Sequence, residues 1–299
     1  MTLRIGTRRS ALALAQAEEV RRLLGEHGVT AEIVPMSTSG DEGVRSSDAP
    51  GGLKGLFVDT ILEALERDEI DVAVHSAKDL PADDEDGLTI AAVPRRADPS
   101  DVLVLREPTL PTGAVIGTSS LRRRAQLLRA FPGVTVDDLR GNVDTRLRKV
   151  ADGDVDAAVL AAAGLARLGV EPAHAASLSF DVMVPAPGQG ALAIQVREDD
   201  LGTQTAVATI DDPPSRLALE AERSLMWRLG GGCSLPLGAI ATVEGSRVEL
   251  LAVVASPDGS ELVRAEVVSD SPEGAAAAAT KELIAGGAEE ILAALDDEP

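Results

Sequence analysis

Through its first two-thirds the chain alternates short β-branched runs with stretches of helix length, and that alternation restricts the possible folds most. Strands are expected at Leu3–Gly6, Glu32–Met36 and Ile70–His75, near Leu88–Val93 and Val102–Leu105, and at Val115–Gly117, Val134–Leu139 and Ala157–Leu160. Helices are expected at Ser10–Glu26, Leu56–Asp68, Leu121–Phe131 and Val143–Ala151. Strands separated by helices of this length imply βαβ units and parallel sheets. The end of the chain reads differently. Pro213-Pro214 opens a helix to about Leu229, and strands follow at Gly238–Val243 and Val248–Val254. Ser256-Pro257-Asp258-Gly259-Ser260 is a hairpin turn, Leu262–Val268 pairs back, and a last helix runs from about Glu273 to Leu295. This is a small α+β domain beginning near residue 212.

A chain of 299 residues has room for two or three cores. With three Phe, one Trp and no Tyr, those cores must be built from Ala, Leu, Val and Ile. No apolar run approaches the length of a membrane span and no signal peptide is read at the start, so a cytoplasmic protein is expected. The net charge of −21 argues against a nucleic-acid partner, because phosphate neutralisation needs a basic footprint. Between Gly117 and Val150, however, eight basic residues face three acidic ones. A local basic island in an acidic protein suggests a small anionic ligand.

Three strand-to-helix junctions fit such a ligand. They are Gly6-Thr7-Arg8-Arg9-Ser10, Gly117-Thr118-Ser119-Ser120-Leu121-Arg122-Arg123 and Leu139-Arg140-Gly141-Asn142-Val143-Asp144-Thr145-Arg146. Each sets hydroxyl or amide side chains at a helix N-terminus, with arginines beside it. Free N–H groups and the positive helix end attract anions, and guanidinium groups grip carboxylates in pairs. A surface-arginine cap explains any one of them; three together point to a ligand with several carboxylates. His75-Ser76-Ala77-Lys78-Asp79-Leu80-Pro81 follows a strand, and Pro81 fixes a loop there. Asp79 could pair with Lys78 at the surface, or stabilise a developing cation and move protons while Lys78 and Ser76 hold an anion. His75 reads as a core residue. The Gly/Ser/Pro-rich stretch 41–55, with Lys54, is a loop or a lid. Pro185-Ala186-Pro187-Gly188-Gln189-Gly190-Ala191 reads as an inter-domain crossover. Cys233, the only cysteine, follows three glycines in Gly230-Gly231-Gly232-Cys233-Ser234. It is either a buried core thiol or an accessible one.

Taken together, these segments resemble the porphobilinogen deaminase (hydroxymethylbilane synthase) family. The matching stretches are T-R-R-S at 7–10, G-G-L-K-G-L-F-V at 51–58, H-S-A-K-D-L-P at 75–81 and G-T-S-S-L-R-R-R-A-Q at 117–126. They continue with L-R-G-N-V-D-T-R-L at 139–147, A-A-G-L-A-R-L-G at 162–169, A-P-G-Q-G-A at 186–191 and G-G-G-C-S-L-P-L-G at 230–238. Ala77, where the family carries a larger apolar residue, is a departure, as are Arg9 and Leu53.

The resemblance implies an α/β fold of three domains. Two lobes like type II periplasmic binding proteins would span 1–95 with 190–208, and 96–189; a small α+β cofactor-attachment domain would span 212–299. It implies head-to-tail condensation of four porphobilinogen molecules with loss of ammonia, then hydrolysis to hydroxymethylbilane. The chain would grow on a dipyrromethane cofactor held by a thioether to Cys233. Asp79, Lys78 and Arg8 would be catalytic. Ser10, Lys54, Ser76, Thr118, Ser119, Ser120, Arg122, Arg123, Arg140, Gly141, Asn142, Arg146, Arg167 and Gln189 would bind the carboxylates of cofactor and substrate. No metal is expected, and a monomer is. The remaining alternative is a non-catalytic two-lobed anion-binding protein. A cysteine hydrolase lacks a recognisable base, since His27, His75 and His174 form no dyad with the thiol.

Overall fold

The computed structural model describes residues 2–36, 60–83, 85–230 and 235–296. The chain forms two compact units, one from the residues up to Ala97 with Ala191–Arg216, the other from Asp98–Gly190 with the residues from Leu217 onward.

In the first unit, β1 (Thr2–Arg8), β2 (Thr30–Met36), β3 (Val72–Ser76), β4 (Leu88–Ala92) and β10 (Leu192–Arg197) form one sheet in the order β2-β1-β3-β10-β4. β1 runs parallel to β2 and β3, and β10 runs antiparallel to β3 and β4. Helix α1 (Ala11–Glu26) packs Ala17, Val20 and Leu24, a stripe at helical spacing, onto Leu3, Ile5, Val72, Val74, Leu192 and Ile194. Helix α2 (60–66) and the segment after it belong to the opposite face. There Arg197 donates 2.8 Å hydrogen bonds to the carbonyls of Leu65 and Ile70. Gly6 is required on that face, because a Cβ would come within 2.2 Å of Ile70 Cδ1.

The second unit holds two sheets. β5 (Asp101–Leu105), β6 (Val115–Gly117), β7 (Thr135–Asp137), β8 (Ala157–Ala161) and β9 (Ala175–Leu178) are ordered β7-β6-β8-β5-β9. Helices α3 (Leu121–Ala130), α4 (Val143–Asp152) and α5 (Ala162–Arg167) follow β6, β7 and β8. With its strands counted from β6, this order repeats that of the first unit: a parallel trio, then an antiparallel strand from elsewhere in the chain, then the last strand. The repetition matches the expected pair of type II lobes. Helix α6 (Leu201–Val207) follows β10, and α7 (Pro213–Arg228) carries the chain onward from the first unit. The antiparallel meander β11 (Leu237–Glu244), β12 (Arg247–Ala255) and β13 (Leu262–Ser269) leads to α8 (Pro272–Ala285) and α9 (Ala288–Asp296). Val184, Ile240 and Val253 share a core with Phe180 partly buried against it. The β12–β13 turn rests on α3, with Gly259 at φ 73° and only 2.5 Å between its missing Cβ and the carbonyl of Ala125.

Three sequence expectations need correction. The five-stranded sheets are mixed rather than parallel, because β10 and β5 each enter antiparallel to both of their neighbours. The last helix is two, interrupted at Gly286-Gly287, where Gly287 has φ 100°. Strand β9 and helices α5 and α6 were not expected. Of the helix expected at 56–68, residues 56–59 lie outside the described residues, as does all of the 41–55 stretch.

Candidate active site

In the first unit the candidate residues gather at one sheet edge. The parallel strands β1 and β3 end there, with Gly6 opposite Ala73, so Arg8 and Ser76 occupy the same carboxyl end. Ligands of open α/β sheets bind at that end. Ser10 caps α1, its hydroxyl accepting from the Ala13 N–H at 3.3 Å. β3 passes directly into a 3-10 turn, Ala77–Asp79, anchored by the Ala77 N–H on the Ala191 carbonyl at 3.0 Å. Lys78 and Asp79 therefore sit half-buried on a short turn pinned to β10's approach rather than on a loose loop. Lys54 lies outside the described residues.

In the second unit the two arginine-rich junctions converge. Ser120 caps α3, accepting from the Arg123 N–H, and Thr118 Oγ1 accepts from the Ser120 N–H at 3.2 Å. Ser119 donates to the Leu139 carbonyl at 3.1 Å, tying this junction to the next. There Asn142 caps α4 through the Thr145 N–H at 2.9 Å, and Gly141, at φ 119°, accepts from Arg146 Nε at 2.8 Å. Arg140 is exposed and pairs with Asp138 at 2.8 Å. Arg167, in the last turn of α5, donates to the Gly190 carbonyl at 3.1 Å.

Arg122 and Arg123 point inward, where the sequence suggested ligand clamps. Arg122 Nη1 reaches Asp101 Oδ2 at 2.9 Å and the Val184 carbonyl at 2.7 Å. Arg123 reaches Asp101 Oδ1 at 2.7 Å and the Val159 carbonyl at 2.9 Å. Gln189 Nε2 donates to the same Asp101 oxygen at 2.9 Å and to the Pro99 carbonyl at 2.8 Å. Asp101 is wholly buried. Burial alone would raise its pKa, but Arg122, Arg123 and Gln189 hold its carboxyl well below the usual range. Asp101 is the residue that sequence reading missed. Its signal is an Asp at the first position of an apolar strand, which reads equally well as a turn residue. Glu222 on α7 is a second missed carboxylate, buried, accepting from the N–H groups of Gly188 (2.6 Å) and Ala241 (2.8 Å).

The charge balance of this region is uneven. Arg146 is held below its ordinary pKa first by burial and then by Arg123, with Asp138 opposing. Arg122 is likewise lowered by burial, though Asp101 counteracts it. Arg122 and Arg123 are thus buried on Asp101, while Arg146 is half-buried, near Arg123 on one side and Asp138 on the other. Such a donor set fits a group bearing carboxylates, which would restore the balance. Cys233 lies outside the described residues, in the segment between α7 and β11.

A family model described as "Porphobilinogen deaminase, dipyromethane cofactor binding domain" matches residues 3–205. A second, "Porphobilinogen deaminase, C-terminal domain", matches residues 216–285. A relative named porphobilinogen deaminase from Acidithiobacillus ferrooxidans is 46% identical over 297 residues, covering 97% of each chain. Those of Brevibacillus brevis and Roseiflexus castenholzii are 43% and 44% identical, covering 97% and 98% of this chain and 96% and 99% of their own.

Proposed function

The chain belongs to the porphobilinogen deaminase family, and from that premise we propose how its residues divide the work of the reaction. The family's enzyme is a transferase of tetrapyrrole biosynthesis that joins four porphobilinogen molecules with release of ammonia and hydrolyses the product to hydroxymethylbilane. When bound through a thioether to Cys233, the dipyrromethane cofactor supplies the terminal pyrrole to which substrate is added, along with its own carboxylates.

Asp79 is the charge-bearing group of the first unit. Loss of ammonia leaves positive charge on the substrate, and a carboxylate fixed on a short turn stabilises it and exchanges the proton without reorganising. Lys78, Arg8, Ser76 and Ser10, at the same sheet edge, hold substrate carboxylates, as does Lys54. The second unit holds the cofactor and the growing chain. Arg140, Arg146 and Arg167 act with the hydroxyls of Thr118, Ser119 and Ser120 and the capped turn at Gly141-Asn142. Arg122, Arg123 and Gln189 serve the same site from within, braced on Asp101. In domain terms, 1–95 with 190–208 is the catalytic lobe, 96–189 the carboxylate-binding lobe and 212–299 the cofactor-attachment domain.

The observation that supports this reading is the gathering of Arg122, Arg123 and Arg146 behind two joined, capped helix N-termini, with Arg122 and Arg123 braced on Asp101. Intact mass spectrometry of the purified protein should show an adduct of dipyrromethane size, absent from Cys233→Ser. A bare polypeptide mass from active enzyme sinks the assignment. Arg146→Leu should lower the loaded fraction, and full loading with unchanged turnover removes Arg146 from the site.

The same reading makes the protein a cytoplasmic monomer. It rests on an acidic chain in which no described helix is long and apolar enough to cross a membrane. Light scattering at one chain mass checks the monomer.

A further inference from the structure

His75 Nε2 and Gln195 Oε1, both in the first unit, are buried polar atoms with no hydrogen-bond partner among the described residues. Both residues are deeply buried, at 6% and 5% exposure. Strand register puts them together. Ala193 lies opposite His75, and Gln195 lies opposite Ala73, so the two side chains share one face as diagonal neighbours across β3 and β10. The alternate positions, Val72, Val74, Leu192 and Ile194, fill the core on the other face. Arg197, on the same face as Gln195, hydrogen-bonds Leu65 and Ile70, so the shared face is roofed by protein. The residues directly opposite the pair, Ala73 and Ala193, are small.

An imidazole Nε2 and an amide oxygen left dry would each destabilise the fold, because their lost hydrogen bonds to water go unreplaced. One water satisfies both. It donates to Gln195 Oε1, and it either donates to a bare Nε2 or accepts from an Nε2–H, so either neutral tautomer is accommodated. His75 is also the penultimate residue of the strand that presents Asp79, four positions before it, and feels that carboxylate electrostatically. An imidazolium here would pair with Asp79 and cancel the charge proposed for the reaction. A neutral ring held by water leaves that charge available.

We propose that His75 and Gln195 bind one buried water, and that this assembly makes His75 a positioning residue for the Lys78-Asp79 turn. The second half rests on the role proposed for Asp79; the first does not. A crystal structure of the holoenzyme that resolves ordered solvent should show a single water within hydrogen-bond reach of both atoms. Protein groups satisfying each atom, with no shared water, overturn the proposal. In kinetics, His75→Leu should lower kcat by about tenfold to a hundredfold with little change in KM and unchanged cofactor loading by mass. His75→Gln, which can still hold the water, should recover most of the rate. Should His75→Leu fold poorly, Gln195→Leu removes the other anchor from the neighbouring strand, leaving β3 and the turn unaltered in sequence, and should lower kcat in the same way. Wild-type kcat in a folded variant lacking either anchor overturns the positioning role. If the wild type does not turn over porphobilinogen, the functional reading fails while the water is still tested by crystallography.

Discussion

At the scale of single residues, the two carboxylates that matter differ in what surrounds them. Asp79 is half-buried on a turn and Asp101 is sealed between two guanidinium groups. Asp79→Ala should therefore keep the fold, judged by circular dichroism, and lose on the order of 10²–10⁴ in turnover, as loss of a proton-transfer group does. Wild-type rates would remove Asp79 from its role. His75 contributes a pH dependence of definite sign. Burial pushes its pKa down from 6.5 to about 4, against the pull of Asp79. Between those values the unfolded chain takes up a proton that the folded protein refuses, so stability falls as pH drops from about 6.5 and the loss is complete below about 4. The full effect is roughly 3 kcal/mol. Urea unfolding of wild type and His75→Gln at neutral and acidic pH should show the variant losing less; parallel losses contradict the buried neutral ring. Asp79 could be named from its motif. Asp101 could not, because its meaning depends on Arg122, Arg123 and Gln189, which only the fold brings to it.

At the scale of elements, the β6–α3 junction depends on a missing side chain. A Cβ on Gly117 would lie 2.6 Å from Leu139 Cδ2 and 2.9 Å from Leu139 Cβ. Leu139 is buried, and its carbonyl takes the Ser119 hydroxyl, so it cannot yield without moving the second junction. Gly117→Ala should cost about 1–3 kcal/mol, measured by thermal unfolding, and should lower cofactor loading as well. An unchanged melting temperature counts against this coupling. Elements with strong periodicity, such as α1 and β12, were legible from the chain. Strand β9, Ala-Ala-Ser-Leu, was not, since alanine carries no β signal and its place comes from pairing with β5. The break at Gly286-Gly287 was hidden by good helix formers on both sides. Strand direction was also out of reach, because local alternation speaks of element type and not of which way a distant strand enters.

At the scale of the molecule, the sequence shows no internal repeat, yet two sheets share one strand order. That order is a packing solution reached by residues that need not resemble one another, so only the assembled sheets display it. The basic island was legible as charge. Its division into an exposed Arg140 and the inward-braced Arg122 and Arg123 was not.

The late strand of the first sheet bears on how the chain emerges during synthesis. β10 sits between β3 and β4, yet Leu192 follows Ser76 only after the whole sheet β7-β6-β8-β5-β9 has been made. Until then β3 has no partner on that side, and an open strand edge invites association with other chains. The sheet spanning Asp101–Leu178 has no such debt and can close first. Nascent chains stalled before Leu192 has left the ribosome should be protease-resistant in the second lobe and sensitive in the first; equal resistance in both would show that the first lobe closes without its last strand. The order of strands along the chain thus leaves the sheet that carries Asp79 open for longest during translation.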